Sequence, residues 1–265
     1  MMTALVDLAL AAGREIMTVY SQDFSVRSKS DTTPVTEADE RAERLILAGL
    51  AKIDPTTPVI SEEAAGAGRI PAIACRFYLV DPLDGTKEFI NRNGEFTVNI
   101  ALVEKGLPVL GVVFAPALHR IFIGDAAEGA AEARTGDGKT AAGLAWHMLK
   151  VRNAPSDCPT VVASRSHRDE RTEAFLRDLG QHALVSAGSS LKFCLLATGE
   201  ADLYPRFGRT MEWDTAAGHA VLIAAGGLVH TEAGCPLAYG KAERGYDNPA
   251  FVAASGFALM ASLTK

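Results

Sequence analysis

The chain has 265 residues, of which 48% are hydrophobic and 22% charged, and its formal net charge is -6. This composition predicts a sizeable core in one large domain or two small ones and excludes bulk disorder. The negative charge argues against a general electrostatic binder of nucleic acid polymers. The sequence shows no signal peptide and no uncharged apolar stretch long enough to cross a bilayer, so we predict no transmembrane segment.

The four cysteines, Cys75, Cys158, Cys194 and Cys235, are far apart in the chain. They form no C-x-x-C pair and no cluster with histidine. This spacing argues against a zinc ribbon and favours a reduced, cytoplasmic setting.

The first half is predicted to hold helices followed by an antiparallel sheet. Apolar residues at helical spacing predict a first helix within 1–19, and Thr36 with Asp39 resembles a capping box at the start of a second. A hairpin is predicted from two strand-like runs joined by a Gly-containing turn. The predicted strands are 58–60, 77–80, 97–103, 108–114 and 121–123.

The second half alternates strand-like and helix-like segments, which indicates an α/β arrangement. Strands are predicted at 160–163 and 202–204, and a helix over 215–225 directly after Asp214. We place a domain boundary near 150–159, which predicts units of 1–150 and 151–265. The segment 137–148 matches no motif of a known family.

The most informative motif is Asp81-Pro82-Leu83-Asp84-Gly85-Thr86, which directly follows the apolar run 77–80. Carboxylates at the end of a buried strand are costly unless they are paired or bind a metal. A divalent cation held by Asp81 and Asp84 satisfies this requirement. Gly85 and Thr86 stand where a helix is predicted to begin, and the N–H groups of a helix start attract anions. The motif therefore indicates metal-assisted phosphate chemistry.

Three further acidic residues stand at the ends of predicted elements: Asp39, Glu62 and Asp214. With Asp81 and Asp84 they supply enough oxygen ligands for two or three Mg²⁺ ions. Each also has an ordinary alternative. The Asp81 motif is compatible with a surface turn, Asp39 with helix capping, and Asp214 with a plain N-cap. Spacing does not decide between Glu62 and Glu63.

Four segments resemble, in order, the signatures of the inositol monophosphatase superfamily. They are Val35-Thr36-x-Ala38-Asp39, Ser61-Glu62-Glu63, Asp81-Pro82-Leu83-Asp84-Gly85-Thr86 and Trp213-Asp214-x-Ala216-Ala217-Gly218. The resemblance implies the layered α-β-α-β-α sandwich of sugar phosphatases, an α/β fold with the site between its two halves. It also implies inhibition by lithium.

The resemblance further implies roles for the acidic residues. One Mg²⁺ would be held by Glu62, Asp81 and the carbonyl of Leu83. A second would be held by Asp81, Asp84 and Asp214, and a third, weaker ion would lie near Glu62. Thr86, hydrogen-bonded to Asp39, would help to activate the attacking water, with Glu62 assisting.

Four other segments, 87–100, 164–167, 188–194 and 204–208, are similar to the bacterial 3'(2'),5'-bisphosphate nucleotidases of that superfamily. This branch implies hydrolysis of adenosine 3',5'-bisphosphate to AMP, with the sulfated analogue 3'-phosphoadenylyl sulfate as a second substrate, and a link with sulfur assimilation. The implied substrate contacts are Gly85, Thr86, Lys87 and Asp214 near the reacting phosphate, Ser189, Ser190, Lys192 and Arg206 on the ribose and 5'-phosphate, and His167 on the adenine.

Two alternatives remain open. An inositol-1-phosphatase or broad sugar phosphatase would use the same metal ligands, and only Lys192, Arg206 and His167 argue against it. A non-catalytic nucleotide- or metal-binding regulator is disfavoured by the Asp39–Thr86 pair, because a mere binder needs no group that activates water. The resemblance implies a cytoplasmic monomer or homodimer and allows peripheral association with the inner membrane.

Overall fold

The structure is a computed structural model, and it describes residues 1–22, 26–28, 34–136, 138–155, 157–164 and 169–262. The α-helices of this part of the chain are Met2–Tyr20 (α1), Glu37–Ile53 (α2), Glu62–Gly66 (α3), Thr86–Ile90 (α4), Glu170–Leu179 (α5), Leu191–Ala197 (α6), Glu212–Ala224 (α7) and Phe257–Ser262 (α8). Short 3₁₀ turns occur at Pro116–Leu118, Ala141–Gly143 and Ala242–Arg244.

Most strands belong to two sheets. The strands are Val26–Ser28 (β1), Pro34–Thr36 (β2), Val59–Ser61 (β3), Arg76–Asp84 (β4), Thr97–Glu104 (β5), Leu107–Ala115 (β6), Arg120–Asp125 (β7), Gly129–Arg134 (β8), Trp146–Leu149 (β9), Thr160–Ser164 (β10), Ala183–Ala187 (β11), Leu203–Arg206 (β12), Leu228–Thr231 (β13) and Phe251–Ala254 (β14).

The larger sheet has seven strands in the order β3-β4-β5-β6-β7-β8-β9, and it is antiparallel except for the β3–β4 pair. The second has five strands in the order β11-β10-β12-β14-β13, with β10 parallel to both of its neighbours. β1 and β2 form a separate antiparallel pair.

Side chains of the two sheets alternate between separate cores, because successive residues of a strand point to opposite faces. On β4, Tyr78 and Val80 pack in the core that contains α1 and α2. Phe77 and Leu79 pack on the other face, against α6, α7 and the five-stranded sheet. A third core joins the far side of that sheet to α5 and α8. These layers confirm the α-β-α-β-α sandwich that the resemblance implied.

Helix α7 lies close to the seven-stranded sheet because two strand glycines leave room for its backbone. A Cβ on Gly111 would lie 2.4 Å from the carbonyl oxygen of Ala217, and one on Gly124 would lie 2.5 Å from that of Ala220. Most of the helix is buried between the two sheets. The close contact fixes the position of the first turn of α7, which carries Asp214.

The predicted elements mostly match the structure, and the differences arise from backbone pairing. The predicted hairpin is confirmed as β5 and β6. β4 continues through the acidic motif to Asp84, which pairs with Thr97 across a bulge, whereas we expected the strand to end before the motif. α7 begins at Glu212, before the predicted start, so Asp214 is its third residue rather than the residue that precedes it.

The described part of segment 137–148 joins the N-terminal helix to the edge of the larger sheet. Ala141 follows a loop and donates its backbone N–H to Asp7 of α1 at 2.7 Å. The chain then forms β9, the edge strand that pairs with β8. The two sheets are drawn from 59–149 and 160–254, on either side of the predicted boundary, but α7 packs on the first sheet. The division into units 1–150 and 151–265 stays a prediction.

No helix among the described residues combines the length and the apolar character that crossing a bilayer requires.

Candidate active site

A cavity of about 240 Å³ opens where the end of β4 meets the first turns of α3, α4, α6 and α7. Most of the site residues predicted from the sequence line it: Glu62, Asp81, Leu83, Asp84, Gly85, Thr86, Lys87, Ser189, Lys192, Arg206 and Asp214. Of the remaining three, Asp39 and Ser190 lie behind the wall. His167 lies outside the described residues.

Three carboxylates from separate parts of the chain converge at one end of the cavity. Each of Glu62, Asp81 and Asp214 offers an oxygen within 4.8 Å of the other two. The parallel pairing of β3 with β4 sets Ser61 beside Val80, so that the next residues, Glu62 and Asp81, are brought together. This is an oxygen-rich set of the kind that Mg²⁺ prefers.

The bulge between Asp81 and Asp84 arranges the acidic motif. Asp81 Oδ1 accepts the N–H of Leu83 at 3.0 Å, and the Leu83 side chain is buried in the core beneath. Because the bulge interrupts regular pairing, both carboxylates of the motif line the cavity. A regular strand would alternate its side chains between faces, and Asp81 and Asp84, three positions apart, would then point to opposite sides.

The electrostatics of these carboxylates favour a bound cation. Burial, opposed by Lys192 and reinforced by Glu88 and Glu62, raises the pKa of Asp84 to about 6. Burial, reinforced by Asp84 and Glu62, raises the pKa of Asp214 well above its ordinary value. Carboxylates held close together in this way repel one another when ionised, and a divalent cation relieves that repulsion. The donor set therefore fits Mg²⁺.

Asp39 reaches the cavity through Thr86. Its Oδ2 accepts hydrogen bonds from the Thr36 backbone N–H at 2.9 Å and the Thr36 hydroxyl at 2.7 Å, which forms the predicted capping box. Its Oδ1 accepts the Thr86 hydroxyl at 3.2 Å. Asp39 is thus buried and held on one side by helix capping and on the other by a residue of the cavity wall.

Gly85 allows a close approach between the acidic motif and the loop before α6. Its φ is +92°, in the left-handed region, and a Cβ there would lie 2.2 Å from Ser189 Oγ. The Ser189 hydroxyl bonds to the carbonyl oxygens of Asp84 and Glu95, both at 2.8 Å. Ser189 therefore ties this loop to the motif and also lines the cavity.

Ser190 is placed differently from the ribose contact implied by resemblance. It is buried, and its hydroxyl lies 2.6 Å from Asn99 Oδ1 and 3.0 Å from Thr97 Oγ1. Asn99 Nδ2 in turn lies 3.4 Å from Asp84 Oδ2. Ser190 thus contacts the site from behind the wall, through Asn99 and through a backbone hydrogen bond to Asp84, and Asn99 was not predicted from the sequence. A polar amide within the apolar strand 97–103 was the available signal.

Basic side chains line the cavity beside the carboxylates. Lys192 is only 4% exposed and donates to the carbonyl oxygen of Ser189, and burial lowers its pKa to about 8. Arg206 donates from Nη2 to the carbonyl oxygen of Arg209 at 2.7 Å, while its buried Nε has no partner among the described residues. Arg209 also lines the cavity and was not predicted.

Nearly the whole chain matches the model of a known family. The model of the inositol monophosphatase family matches residues 1–261. The 3'(2'),5'-bisphosphate nucleotidase CysQ of Escherichia coli K12 is 49% identical over 253 residues, covering 95% of this chain and 98% of that protein. The nucleotidase CysQ of Haemophilus influenzae is 33% identical over 92% of this chain and 89% of its own length.

Solved structures agree with these sequence matches. CysQ from Bacteroides thetaiotaomicron has a TM-score of 0.79 and 39% sequence identity, with 95% of each chain covered. An inositol monophosphatase from Anabaena, at 23% identity, has a TM-score of 0.73 over 96% of this chain and 90% of its own, which shows a shared fold.

Proposed function

The chain belongs to the inositol monophosphatase family, and we propose that it is a Mg²⁺-dependent 3'(2'),5'-bisphosphate nucleotidase. Its substrate is adenosine 3',5'-bisphosphate, which it converts to AMP and phosphate, and 3'-phosphoadenylyl sulfate is a second substrate. The observation that carries the proposal is one cavity lined by carboxylates and by Lys192 and Arg206, with Thr86 bonded to Asp39 in its wall. Such a cavity suits a small molecule with two anionic groups.

The carboxylates hold the metal ions in this proposal. Glu62, Asp81 and the Leu83 carbonyl form one site, and Asp81, Asp84 and Asp214 form the second. The family resemblance implies two or three ions, and the third would lie near Glu62. When bound, Mg²⁺ polarises the phosphoryl oxygens, makes the attacking water more acidic and offsets charge on the leaving oxygen.

Thr86 and Asp39 orient the attacking water. Because the Thr86 hydroxyl donates to Asp39 Oδ1, its oxygen presents a lone pair toward the cavity. A water that donates to this lone pair is aligned for attack on phosphorus, in line with the ester oxygen. The two Thr36 hydrogen bonds hold the Asp39 carboxylate in place, so that Asp39 keeps the Thr86 hydroxyl proton directed at Oδ1 and away from the water. Glu62 assists by accepting a proton from the water.

The remaining contacts hold the substrate. The N–H groups of Gly85 and Thr86 bind the reacting phosphate, with Lys87 and Asp214 beside it. Arg206, whose Nε has no partner in the described part of the chain, and the buried Lys192 bind the 5'-phosphate, for which the planar guanidinium is well suited. Ser189 and Ser190 hold this wall in place next to the ribose, and His167 is assigned to the adenine.

A side-by-side assay tests the proposal against its nearest alternative, an inositol-1-phosphatase. Phosphate release is measured with Mg²⁺ from adenosine 3',5'-bisphosphate and from inositol-1-phosphate, each with and without Li⁺. We expect a much higher kcat/KM for the nucleotide, with turnover lost in Li⁺. A preference for inositol-1-phosphate would refute the nucleotide assignment but keep the metal site, and no turnover of either substrate would favour a non-catalytic regulator.

We also propose that the enzyme works in the cytoplasm. All four cysteines are free thiols in the structure, including the exposed Cys75 and Cys235, as suits a reducing compartment. Peripheral association with the inner membrane and a monomeric or homodimeric state stay predictions from the family resemblance.

A further inference from the structure

We propose that Glu43 is a positioning residue for the metal site: it fixes the turn that carries Glu62 and thereby sets the affinity for the metal ion that Glu62 binds. The proposal rests on the metal ligands assigned above. Glu43 lies on α2, is 6% exposed and does not line the cavity. Its position in the sequence predicted no role.

One oxygen of Glu43 holds both sides of the turn around Glu62. Glu43 Oε1 accepts the hydroxyl of Ser61, the residue before Glu62. The same oxygen accepts the backbone N–H of Ala64, two residues after Glu62, at 2.9 Å. Glu62 is therefore bracketed by two hydrogen bonds to a single acceptor on another helix.

Helix α3 needs this support because it is only five residues long. The first N–H groups of a helix have no partner within it, and a side chain at the N-cap usually satisfies one of them. Ser61 occupies the N-cap but makes no side-chain capping bond. Glu43 takes that place from outside, since it accepts the N–H of Ala64, the third residue of α3. A helix this short has little stability of its own, so its orientation depends on such tertiary contacts.

Helix α2 also aligns Glu62 with the Asp39–Thr86 pair. Asp39 and Glu43 are four residues apart and thus share one face of α2. From that face Asp39 holds Thr86, and Glu43 holds the turn of Glu62. A single rigid helix therefore sets the spacing between the proposed water-orienting group and a proposed metal ligand.

Metal binding tests this role independently of turnover. Metal-free full-length protein is titrated with Mn²⁺, and free Mn²⁺ is measured by electron paramagnetic resonance. We expect Glu43→Ala to raise the Kd of the tighter site by about 10–100-fold, the range for groups that orient metal ligands. Glu43→Gln keeps an acceptor at Oε1 and should bind nearly as well as wild type. Ser61→Ala removes one of the two bonds and should fall between them.

Asp202→Asn serves as a stability control. Asp202 is fully buried and pairs with Arg152 at 2.7 Å, and neither residue lines the cavity. This variant should lower the unfolding temperature and leave the Kd for Mn²⁺ unchanged. In Glu43→Ala, kcat for the nucleotide should recover at high Mg²⁺, because Glu43 does not line the cavity.

An unchanged Kd for Mn²⁺ in both Glu43→Ala and Ser61→Ala would overturn the inference. An equal loss of Mn²⁺ affinity in Glu43→Gln and Glu43→Ala would overturn it too, because the charge of Glu43 and not its hydrogen bonds would then matter. If Glu43→Ala does not fold, Ser61→Ala alone decides between the first result and the expected one. Wild-type protein that binds no Mn²⁺ would instead refute the proposed metal site, and this role of Glu43 with it.

Discussion

Replacing Thr86 with alanine separates its role in turnover from its role in the fold. The change removes one hydrogen bond, from the Thr86 hydroxyl to Asp39 Oδ1 at 3.2 Å. Asp39 keeps both bonds from Thr36, at 2.9 and 2.7 Å, so the capping box of α2 survives. One lost hydrogen bond of this kind destabilises a protein by about 1 kcal/mol.

The expected loss in turnover is larger. A group that orients and activates the attacking water contributes about 10²–10⁴ in rate, which corresponds to about 3–5 kcal/mol of transition-state stabilisation. Thr86→Ala should therefore lower kcat by that factor, with little change in the denaturant midpoint. Steady-state phosphate release from adenosine 3',5'-bisphosphate at saturating Mg²⁺ measures kcat and KM, and urea unfolding measures stability.

Thr86→Ser is the matched control because it keeps the hydroxyl and removes only the methyl group. It should retain most of the wild-type kcat. If Thr86→Ala raised KM and left kcat unchanged, Thr86 would only bind substrate, and the reasoning that its lone pair orients water would be wrong. A serine variant as inactive as the alanine variant would contradict the reasoning as well.

Three other predictions concern the cavity wall and the core. An alanine in the left-handed region costs about 1–2 kcal/mol, and Gly85→Ala should destabilise the fold by more than this because its Cβ would also clash with Ser189 Oγ. Gly68→Ala is the control: Gly68 has φ +74°, and a Cβ there would meet no atom of the described residues within 4 Å beyond its chain neighbours, so urea unfolding should show the conformational cost alone. Lys192→Met keeps the buried aliphatic part of the side chain and removes the charge. It should lower kcat/KM for the bisphosphate nucleotide at least about tenfold, the effect of losing one charged contact. An equal loss with inositol-1-phosphate would show that Lys192 does not select the nucleotide. Burial lowers the pKa of His219 to about 3, whereas the unfolded chain takes up that proton near pH 6.5, so stability is lost as the pH falls below about 6.5. His219→Gln should therefore show a shallower decline in urea midpoint between pH 6.5 and 4, and an unchanged slope would contradict this.

Several features of this protein could be predicted from local sequence alone because they depend on neighbours along the chain. Thr36 and Asp39 form the capping box that their spacing predicted, since both groups belong to one helical turn. The hairpin of β5 and β6 follows from apolar runs on either side of a Gly-containing turn. The acidic motif was recognisable because carboxylates rarely follow a buried strand without a partner.

Other features were decided by backbone pairing between distant segments. The apolar run 77–80 predicted a strand that ends before Asp81, but pairing of Asp84 with Thr97 across a bulge extends the strand to Asp84. α7 begins at Glu212, three residues ahead of the predicted start, where the Glu212 backbone N–H donates to the carbonyl oxygen of Tyr246 at 2.9 Å. Neither contact can be predicted from the hydrophobic pattern, because that pattern indicates which residues are buried and not which segments they pair with.

Charge and apolar context are local properties, so the sequence alone shows which charged residues enter a buried site. The arrangement of these residues depends on how distant segments pack together. The parallel register of β3 and β4 brings Glu62 next to Asp81. The loop before α6 directs the Ser190 hydroxyl to Asn99 and not into the cavity. Glu43 is an ordinary helix residue in the sequence, and its contact with Ser61 exists only because α2 packs beside α3. Spacing along a chain cannot encode a contact whose geometry is set by the packing of whole layers.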